Sequence, residues 1–324
     1  MKKISVIGAG SWGTALAILL GEKGFDVKLW ARREELANEI ESKKENKQYL
    51  PGVKIPSNVI AECSLKNSIN GSEMIITAVP SEFLRSTLKE IKPYLRNQIV
   101  VSATKGIEHN CKRMSQVIEE ELGKIKIAVL SGPNHAEEVS MKMPTASVVA
   151  SRDKKTGKIA AEALATPYFK LYQLSDVIGV EICGALKNIS AIATGVCDGL
   201  GFGDNAKASI ITLGLMEMNN FGRLFGAKRG TVYGLAGVGD LIATCTSKYS
   251  RNRFVGEQLA KGEKMEEIRK EMHGMIAEGI PTTKAVYEYS RKHNIDLPLT
   301  HQAYEVLFSN KNIKYAITDL LNLV

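Results

Sequence analysis

The stretch "KISVIGAGSWGTALAILL" (Lys3–Leu20) decides the fold. It begins as an apolar, β-branched run, passes through Gly8, Gly10 and Gly13, and continues with helical periodicity. A strand, a G-x-G-x-x-G turn and a helix in this order are typical of a dinucleotide-binding βαβ unit. Gly8 would permit the tight turn, Gly10 the approach of a pyrophosphate to the backbone, and Gly13 the close packing of helix on strand. A plain glycine-rich turn is the alternative.

Further strands and helices alternate along the first half of the chain. Strands are predicted at Asp26–Arg33, Glu73–Pro80, Gln98–Gly106 and Lys126–Pro133, with edge strands at Thr145–Asp153 and Phe169–Asp176. Apolar strands alternating with helices indicate a parallel sheet covered on both faces. From about Val177 the pattern is mostly helical. We therefore predict an α/β protein, with an N-terminal Rossmann-type doubly wound sheet in residues 1–180 and a C-terminal all-α substrate and catalytic domain in residues 181–324.

The composition is that of an ordinary globular protein, with 324 residues of which 44% are hydrophobic and 24% charged. The net charge of +8 is spread along the chain without a basic-aromatic module, so we predict no nucleic-acid partner. The charge suits a small anionic substrate, the alternative being a merely solvated surface. Five cysteines without a CxxC pair indicate reduced thiols in a cytoplasmic protein, and the histidines show no metal-ligand spacing. Glycines interrupt the apolar N-terminus, and no stretch elsewhere has the unbroken apolar length of a membrane span.

The end of the second predicted strand distinguishes between nicotinamide cofactors. An acidic residue at this place would bind the ribose hydroxyl of NAD, but the chain has Ala31-Arg32-Arg33. Guanidinium groups suit the additional phosphate of NADP. We therefore predict that NADP(H) is preferred and NAD(H) possible, the alternative being an exposed basic pair at the start of a helix.

Several longer motifs occur in order along the chain. They are "GAGSWGTALA", "SATKGIE", "SGPNHAEEV", "ALKNISAIATG", "GLAGVGDLIATCTS" and "SRNR". Over essentially its whole length the sequence resembles the bacterial NAD(P)-dependent glycerol-3-phosphate dehydrogenase family. The resemblance implies a homodimeric cytoplasmic enzyme that interconverts dihydroxyacetone phosphate and sn-glycerol 3-phosphate, a precursor of phospholipids.

The resemblance also implies the residues of the site. Those expected to contact the cofactor are Gly8, Gly10, Ser11, Trp12, Gly13, Arg32, Arg33, Tyr49, Lys105, Ala136, Arg251, Ile276 and Glu278. Those expected to contact the substrate are Lys105, Gly132, Asn134, Lys187, Asp240, Ser250, Arg251 and Asn252. Lys187, Lys105 and Asp240 are expected to be the catalytic residues.

The sequence itself singles out Lys187, independently of the family resemblance, because this charged residue lies in the apolar helical stretch Glu181–Leu200. Reduction of a ketone needs a proton donor that titrates near the working pH, and a lysine can do so where burial or nearby cations favour its neutral form. The same helix face carries only small side chains, which would leave room for a ligand: Cys183, Gly184, Ser190 and Ala191. We predict that Lys187 donates and accepts the proton; the alternative is a lysine that snorkels to water.

Three further positions have both a functional and a structural interpretation. Lys105 follows a strand and would face the ligand crevice, or it is an ordinary solvated loop lysine. Asp240 would order the lysines or bind a substrate hydroxyl, or it caps a helix. Ser250, Arg251 and Asn252 would hold the substrate phosphate, or they form a polar helix start.

Two other classes of protein remain as alternatives. A β-hydroxyacid or 6-phosphogluconate-type dehydrogenase shares the domain plan and a helical lysine, with a similar "ALKN" stretch, but "SRN" and "GDLIATCTS" argue against it. A catalytically silent dinucleotide sensor should lack at least one of Lys105, Lys187 and Asp240, and the chain has all three.

Overall fold

The computed structural model describes residues 1–322 and divides into two compact units. The first unit consists of Met1–Thr104 and Met114–Val177. The second consists of Lys105–Arg113 and the residues from Ile178 onward. Residues 323–324, at the end of the predicted helical domain, lie outside the described residues.

An eight-stranded sheet forms the centre of the first unit, in the order β12-β11-β10-β7-β6-β1-β2-β5. All neighbouring strands are parallel except the antiparallel pair β10–β11. The strands of the chain are β1 Lys3–Ile7, β2 Asp26–Trp30, β3 Glu45–Asn46, β4 Leu50–Lys54, β5 Val59–Glu62, β6 Met74–Thr77, β7 Ile99–Ser102, β8 Ile107–Glu108, β9 Lys112–Arg113, β10 Lys126–Ser131, β11 Thr145–Ala150 and β12 Phe169–Leu174. The edge strand β5 and the hairpins β3–β4 and β8–β9 were not predicted.

Helices cover both faces of this sheet. They are α1 Ser11–Glu22, α2 Glu34–Lys43, α3 Leu65–Ile69, α4 Ser81–Ile91, α5 Met114–Leu122, α6 Ala136–Ser140 and α7 Lys154–Leu164. Along β1, Ile4 and Val6 belong to one hydrophobic core and Ile7 to another. Because both faces of the strand are buried, it is continuously apolar rather than alternating, as the Rossmann-type prediction requires.

The second unit is helical apart from the short hairpin β8–β9, as far as residue 322. Its helices are α8 Val177–Gly199, α9 Asp204–Leu224, α10 Arg229–Val232, α11 Asp240–Thr246, α12 Arg251–Ala260, α13 Met265–Glu271, α14 Gly279–His293, α15 Pro298–Phe308 and α16 Ile313–Leu321. The predicted fold class, a Rossmann-type sheet followed by an all-α region, is confirmed.

Helix α8 is the central helix of the second unit. Of the helices in residues 1–322, it alone is long and apolar enough to cross a membrane, but 94% of its apolar window is buried inside the protein. Glycines let α12 pack directly on its backbone: a Cβ at Gly195 would lie 1.9 Å from the Arg253 carbonyl oxygen, and one at Gly256 would lie 1.9 Å from that of Ile192. The apolar character of α8 is therefore that of a core helix.

Candidate active site

The glycine loop after β1 has the geometry that the fingerprint predicts. Gly8 has φ +119°, and a Cβ there would lie 2.8 Å from the Ala78 carbonyl oxygen. A Cβ at Gly13 would lie 1.8 Å from the Gly8 carbonyl oxygen, whereas one at Gly10 would have no atom within 4 Å. Two of the glycines are thus needed by the fold itself, and Gly10 leaves open space over the loop, as the close approach of a pyrophosphate requires.

The start of α1 offers donors to a ligand. Ser11 is the first residue of the helix, and Gly10 before it has no side chain to cap this end. Helix N-termini carry unsatisfied N–H groups and partial positive charge, which bind phosphates. The Trp12 indole N–H is also buried and has no hydrogen-bond partner in the described chain. A buried donor of this kind and an open glycine loop fit a bound dinucleotide.

Both arginines after β2 are held by neighbours. The Arg32 guanidinium lies over the Phe83 ring, 5.1 Å from its centroid. Arg33 donates to the Gln48 side-chain oxygen, in the β3–β4 hairpin that also carries Tyr49. The basic pair is therefore oriented at the carboxyl end of β2, where a cofactor ribose is bound in this fold.

The other predicted residues of the first unit follow β10. Gly132 has φ +121° and lies against Ser147, because a Cβ added at Gly132 would be only 3.1 Å from the Ser147 Cα. Asn134 is buried, and Ala136 begins α6, which packs against α1. These residues come after the carboxyl end of a parallel strand, as the residues of the glycine loop do, and such ends form the ligand-binding edge of an open α/β sheet.

Lys187, Asp240 and Lys105 form one hydrogen-bonded cluster in the second unit. Lys187 Nζ donates to Asp240 Oδ1 at 2.6 Å and to Thr244 Oγ1 at 2.7 Å, and Lys105 Nζ donates to Asp240 Oδ2 at 3.0 Å. The side chains of Lys187 and Asp240 are only 6% and 2% exposed, and that of Lys105 is 17% exposed. Lys187 is therefore a buried, ion-paired lysine and does not snorkel to water, and Lys105 is not a solvated loop lysine.

Two of the small residues near Lys187 on α8 belong to a hydrophobic core that α8 shares with α11. Cys183 and Ala191 pack against Leu241 and Cys245 of α11. Their small size suits the close approach of α8 and α11, at which Asp240 reaches Lys187. That a ligand approaches Lys187 past these small residues stays a prediction.

A π-helical turn leads into α11. It spans Leu235–Gly239 and is tightly packed, because a Cβ at Gly237 would lie 1.9 Å from the Val232 carbonyl oxygen. Such turns are rare and frequent at functional sites. Asp240 follows it as the first residue of α11, and no side chain of the described residues caps this helix. The carboxylate binds the two lysines, so the helix-cap alternative for Asp240 is wrong.

The cluster carries two ammonium groups against one carboxylate in a buried place. The pKa of Lys105 is lowered to about 7, mainly by burial; Asp240 opposes the change, and Lys187 contributes to it. For Asp240, burial acts to raise the pKa, but the two ammonium groups prevail and the pKa is lowered. The carboxylate is therefore ionised near neutral pH, and Lys105 changes its charge there.

The predicted phosphate-binding residues are at the start of α12. The Ser250 hydroxyl accepts a hydrogen bond from the Arg253 N–H and caps the helix, so the structural interpretation of this residue is correct. Its own proton remains available to donate. The Arg251 guanidinium lies beside the Met275 sulfur, at 3.0 Å from Nε. A guanidinium group at this helix start has the fork geometry that suits a phosphate.

Asn252 connects three helices and thereby points to a residue that the sequence analysis missed. Its amide nitrogen donates to Asn188 Oδ1 at 2.9 Å, and its oxygen accepts from the Gly279 N–H at 2.8 Å. Asn188 follows Lys187 directly, so its polar side chain in an apolar stretch was the available signal. Thr244 was also missed, although it lies one helical turn after Asp240 and thus shares its helix face.

Ile276 and Glu278, the remaining predicted cofactor contacts, are half-buried and precede α14. Their roles, like those of the other residues assigned from the resemblance, stay predictions. Within residues 1–322 no group of three potential ligands could hold a metal ion, and all five cysteines are free thiols.

Comparisons with known proteins agree along the whole chain. The family described as "NAD-dependent glycerol-3-phosphate dehydrogenase N-terminus" matches residues 3–157, and its C-terminal counterpart matches residues 176–318. A protein of Chlorobium phaeobacteroides (strain BS1) named "Glycerol-3-phosphate dehydrogenase [NAD(P)+]" is 49% identical, covering 98% of this chain and 97% of its own. One of Moorella thermoacetica with the same name is 46% identical, covering 99% and 96%.

Solved structures give the same result. A glycerol-3-phosphate dehydrogenase from Coxiella burnetii superposes with a TM-score of 0.96 at 39% identity, covering 99% of this chain and 98% of its own. A ketopantoate reductase from Ralstonia eutropha, with a TM-score of 0.63 at 15% identity, shares the fold alone. These findings support the interpretation as a glycerol-3-phosphate dehydrogenase and not the hydroxyacid-dehydrogenase alternative. The chain belongs to the NAD-dependent glycerol-3-phosphate dehydrogenase family.

Proposed function

We propose that this protein is an NAD(P)-dependent glycerol-3-phosphate dehydrogenase that reversibly reduces dihydroxyacetone phosphate to sn-glycerol 3-phosphate. The observation that carries the proposal is the buried cluster of Lys187, Asp240 and Lys105. It provides a proton donor, its orienting carboxylate and a second cation within one hydrogen-bonded unit. Such an arrangement suits the reduction of a carbonyl group, in which negative charge develops on one oxygen atom.

Lys187 is proposed to exchange the proton with that oxygen. Two of its three N–H donors are directed by Asp240 and Thr244. The third can then point to a substrate oxygen, and the two fixed bonds keep the ammonium from rotating. In the oxidation of glycerol 3-phosphate the same nitrogen would receive the hydroxyl proton.

Lys105 is proposed to stabilise the negative charge that develops on the substrate oxygen. Asp240 holds both ammonium groups, so the two cations are set in place before a substrate arrives. Preorganised charges of this kind act without reorganisation during the reaction. Arg251, with the Ser250 hydroxyl and the second N–H of Asn252, is proposed to bind the substrate phosphate. A phosphorylated substrate agrees with the small anionic substrate that the net positive charge favours.

The cofactor is proposed to be NADP(H), with NAD(H) also used. Its pyrophosphate would lie over Gly10 and the start of α1, and Arg32 and Arg33 would bind the ribose phosphate. When bound, the nicotinamide supplies or accepts the hydride. The chain's own part is to position the dinucleotide, and the buried Trp12 N–H is a further donor for it.

Turnover of a phosphorylated and an unphosphorylated ketone tests this function. Oxidation of NADPH and of NADH would be followed by absorbance, with dihydroxyacetone phosphate as substrate and dihydroxyacetone as control. We expect turnover with the phosphorylated ketone only, and faster turnover with NADPH. Tight cofactor binding without turnover of the phosphorylated ketone would contradict the proposal.

Three broader predictions belong to the same proposal. The protein acts in the cytoplasm, it forms a homodimer, and its product supplies glycerophospholipid synthesis. It inserts into no membrane and binds no nucleic acid; burial of 94% of the apolar window of α8 within the protein supports the first of these points. Sedimentation of the purified protein tests the dimer, and a monomer at micromolar concentration would contradict it.

A further inference from the structure

A buried ion pair lies in the second unit outside all the residues assigned so far. Arg113 Nη1 donates to Glu181 Oε2 at 2.8 Å, and each residue is only 5% exposed. Arg113 is the last residue of β9, and Glu181 is on α8. Neither residue contacts Asp240 or Lys187 in a hydrogen bond, so the mechanism above gives the pair no direct chemical part.

The pair connects the two elements that carry the catalytic lysines. Lys105 lies just before β8, whose residue Ile107 is paired with Arg113 of β9. Lys187 is on α8, the helix that carries Glu181. The bond from Arg113 to Glu181 therefore fastens the Lys105 hairpin to the Lys187 helix.

Apolar contacts already attach this hairpin to the unit. Ile107 and Cys111 are buried in one hydrophobic core with Ile182 and Ala185 of α8. These contacts provide attachment, but the hydrophobic effect that drives them is non-directional. A charge-assisted hydrogen bond adds a directional contact to them.

Stability alone is a weak explanation for the pair. Removing two charges from water is costly, and replacing a buried ion pair with well-packed apolar residues is often neutral or stabilising. The best-attested use of buried polar pairs is to fix register between elements. A shift of register here would change how far Lys105 reaches toward Asp240.

We propose that Arg113 and Glu181 are positioning residues that hold the Lys105 hairpin in register on α8, so that Lys105 meets Asp240 beside Lys187. The proposal rests on the proposed dehydrogenase function. It adds two residues to the reaction that act through Lys105 and touch no reacting atom.

A shift of the hairpin has a specific signature. The charged groups that face Lys105 are Asp240 and Lys187. If Lys105 retreats toward water, burial and Lys187 lower its pKa less, and the value rises from about 7 toward 10.5. The limb of the pH–rate profile that Lys105 produces then moves to higher pH. Because Lys105 acts on the reacting oxygen, kcat should fall more than KM rises.

The test compares Glu181→Gln and the apolar double variant Arg113→Met/Glu181→Leu with the wild-type protein. Assays would measure kcat and KM for dihydroxyacetone phosphate across the pH range, together with thermal unfolding. Glu217→Gln is a matched control, because Glu217 is another buried carboxylate of the second unit, bonded to Leu299 and Thr300 of α15 and to no residue of the cluster.

We expect Glu181→Gln and the double variant each to lose about 10–100-fold in kcat, the effect of a misplacement of about 1 Å. In both, the limb of the pH–rate profile that Lys105 produces should move to higher pH. The double variant should unfold at or above the wild-type temperature, and Glu217→Gln should keep the wild-type limb. Wild-type kcat and an unmoved limb in folded Glu181→Gln would overturn the positioning role. If the double variant does not fold, the kcat and the pH–rate profile of Glu181→Gln alone decide whether the pair has a positioning role. A wild-type protein that does not turn over the ketone would instead refute the proposed function.

Discussion

Replacing Lys105 with methionine should make the protein more stable while nearly abolishing its activity. Burial lowers the pKa of Lys105 from 10.5 to about 7, even though Asp240 opposes the change. At about 1.4 kcal/mol per pKa unit, the protonated side chain costs on the order of 5 kcal/mol of folding free energy. Methionine keeps an unbranched side chain and has no charge to desolvate. Asp240 keeps its bond to Lys187, so no carboxylate is left unpaired.

The gain in stability should depend on pH in a defined way. Below about pH 7, Lys105 is protonated in the folded and in the unfolded protein, so the full cost is present and the gain is largest. From about 7 to 10.5 the folded protein binds fewer protons than the unfolded protein, and the cost shrinks as the pH rises. The advantage of Lys105→Met should thus be constant below about pH 7 and fall away above it.

Urea unfolding at a series of pH values measures this advantage directly. Lys158→Met is the control, because the Lys158 side chain is 66% exposed, and its effect should stay within about 0.5 kcal/mol. The kcat of Lys105→Met for dihydroxyacetone phosphate should fall by about 10²–10³-fold, as on removal of one preorganised donor. A variant that is less stable than the wild type at low pH, or whose advantage does not shrink above pH 7, would refute the reasoning.

Three further predictions follow from the geometry. The kcat/KM for ketone reduction should fall as the pH rises through about 7, because Lys105 then loses its charge; a pH–rate profile without a limb in this range would contradict this. Arg32→Ala should raise the KM for NADPH by about tenfold and leave that for NADH nearly unchanged, since only NADPH carries the phosphate that the guanidinium binds; equal effects on both cofactors would argue against it. Gly13→Ala should lower the unfolding temperature, because its Cβ would collide with the Gly8 carbonyl oxygen, whereas Gly10→Ala should fold normally and bind the cofactor more weakly, which calorimetry would show.

The Rossmann-type sheet could be predicted because its signals are local. The glycine fingerprint, the apolar strands and the helices between them each lie within a short window, and both faces of β1 are buried as its apolar run indicates. The edge strand β5, Val59–Glu62, was missed because it is short and has no such run. Sequence patterns report burial well and edge pairing poorly.

The cluster could be predicted only as separate residues. Lys105 and Asp240 are 135 positions apart, and no spacing rule relates them. Nothing in the sequence indicates that Lys105–Arg113 belongs to the second unit, because that depends on how Ile107 and Arg113 pack on α8. The packing of Cys183 could not be predicted for the same reason: its small size was visible, but its burial in one core with Leu241 and Cys245 of α11 was not.

The turnover rate of Lys187→Met tests the central claim most directly. It would be measured with dihydroxyacetone phosphate at saturating NADPH, and NADPH affinity would be measured on the same sample. Our account predicts a loss of about 10²–10⁴-fold in kcat, the usual contribution of a general acid, with cofactor affinity unchanged. Full activity in this variant would show that the proton comes from elsewhere and would contradict the assignment of Lys187.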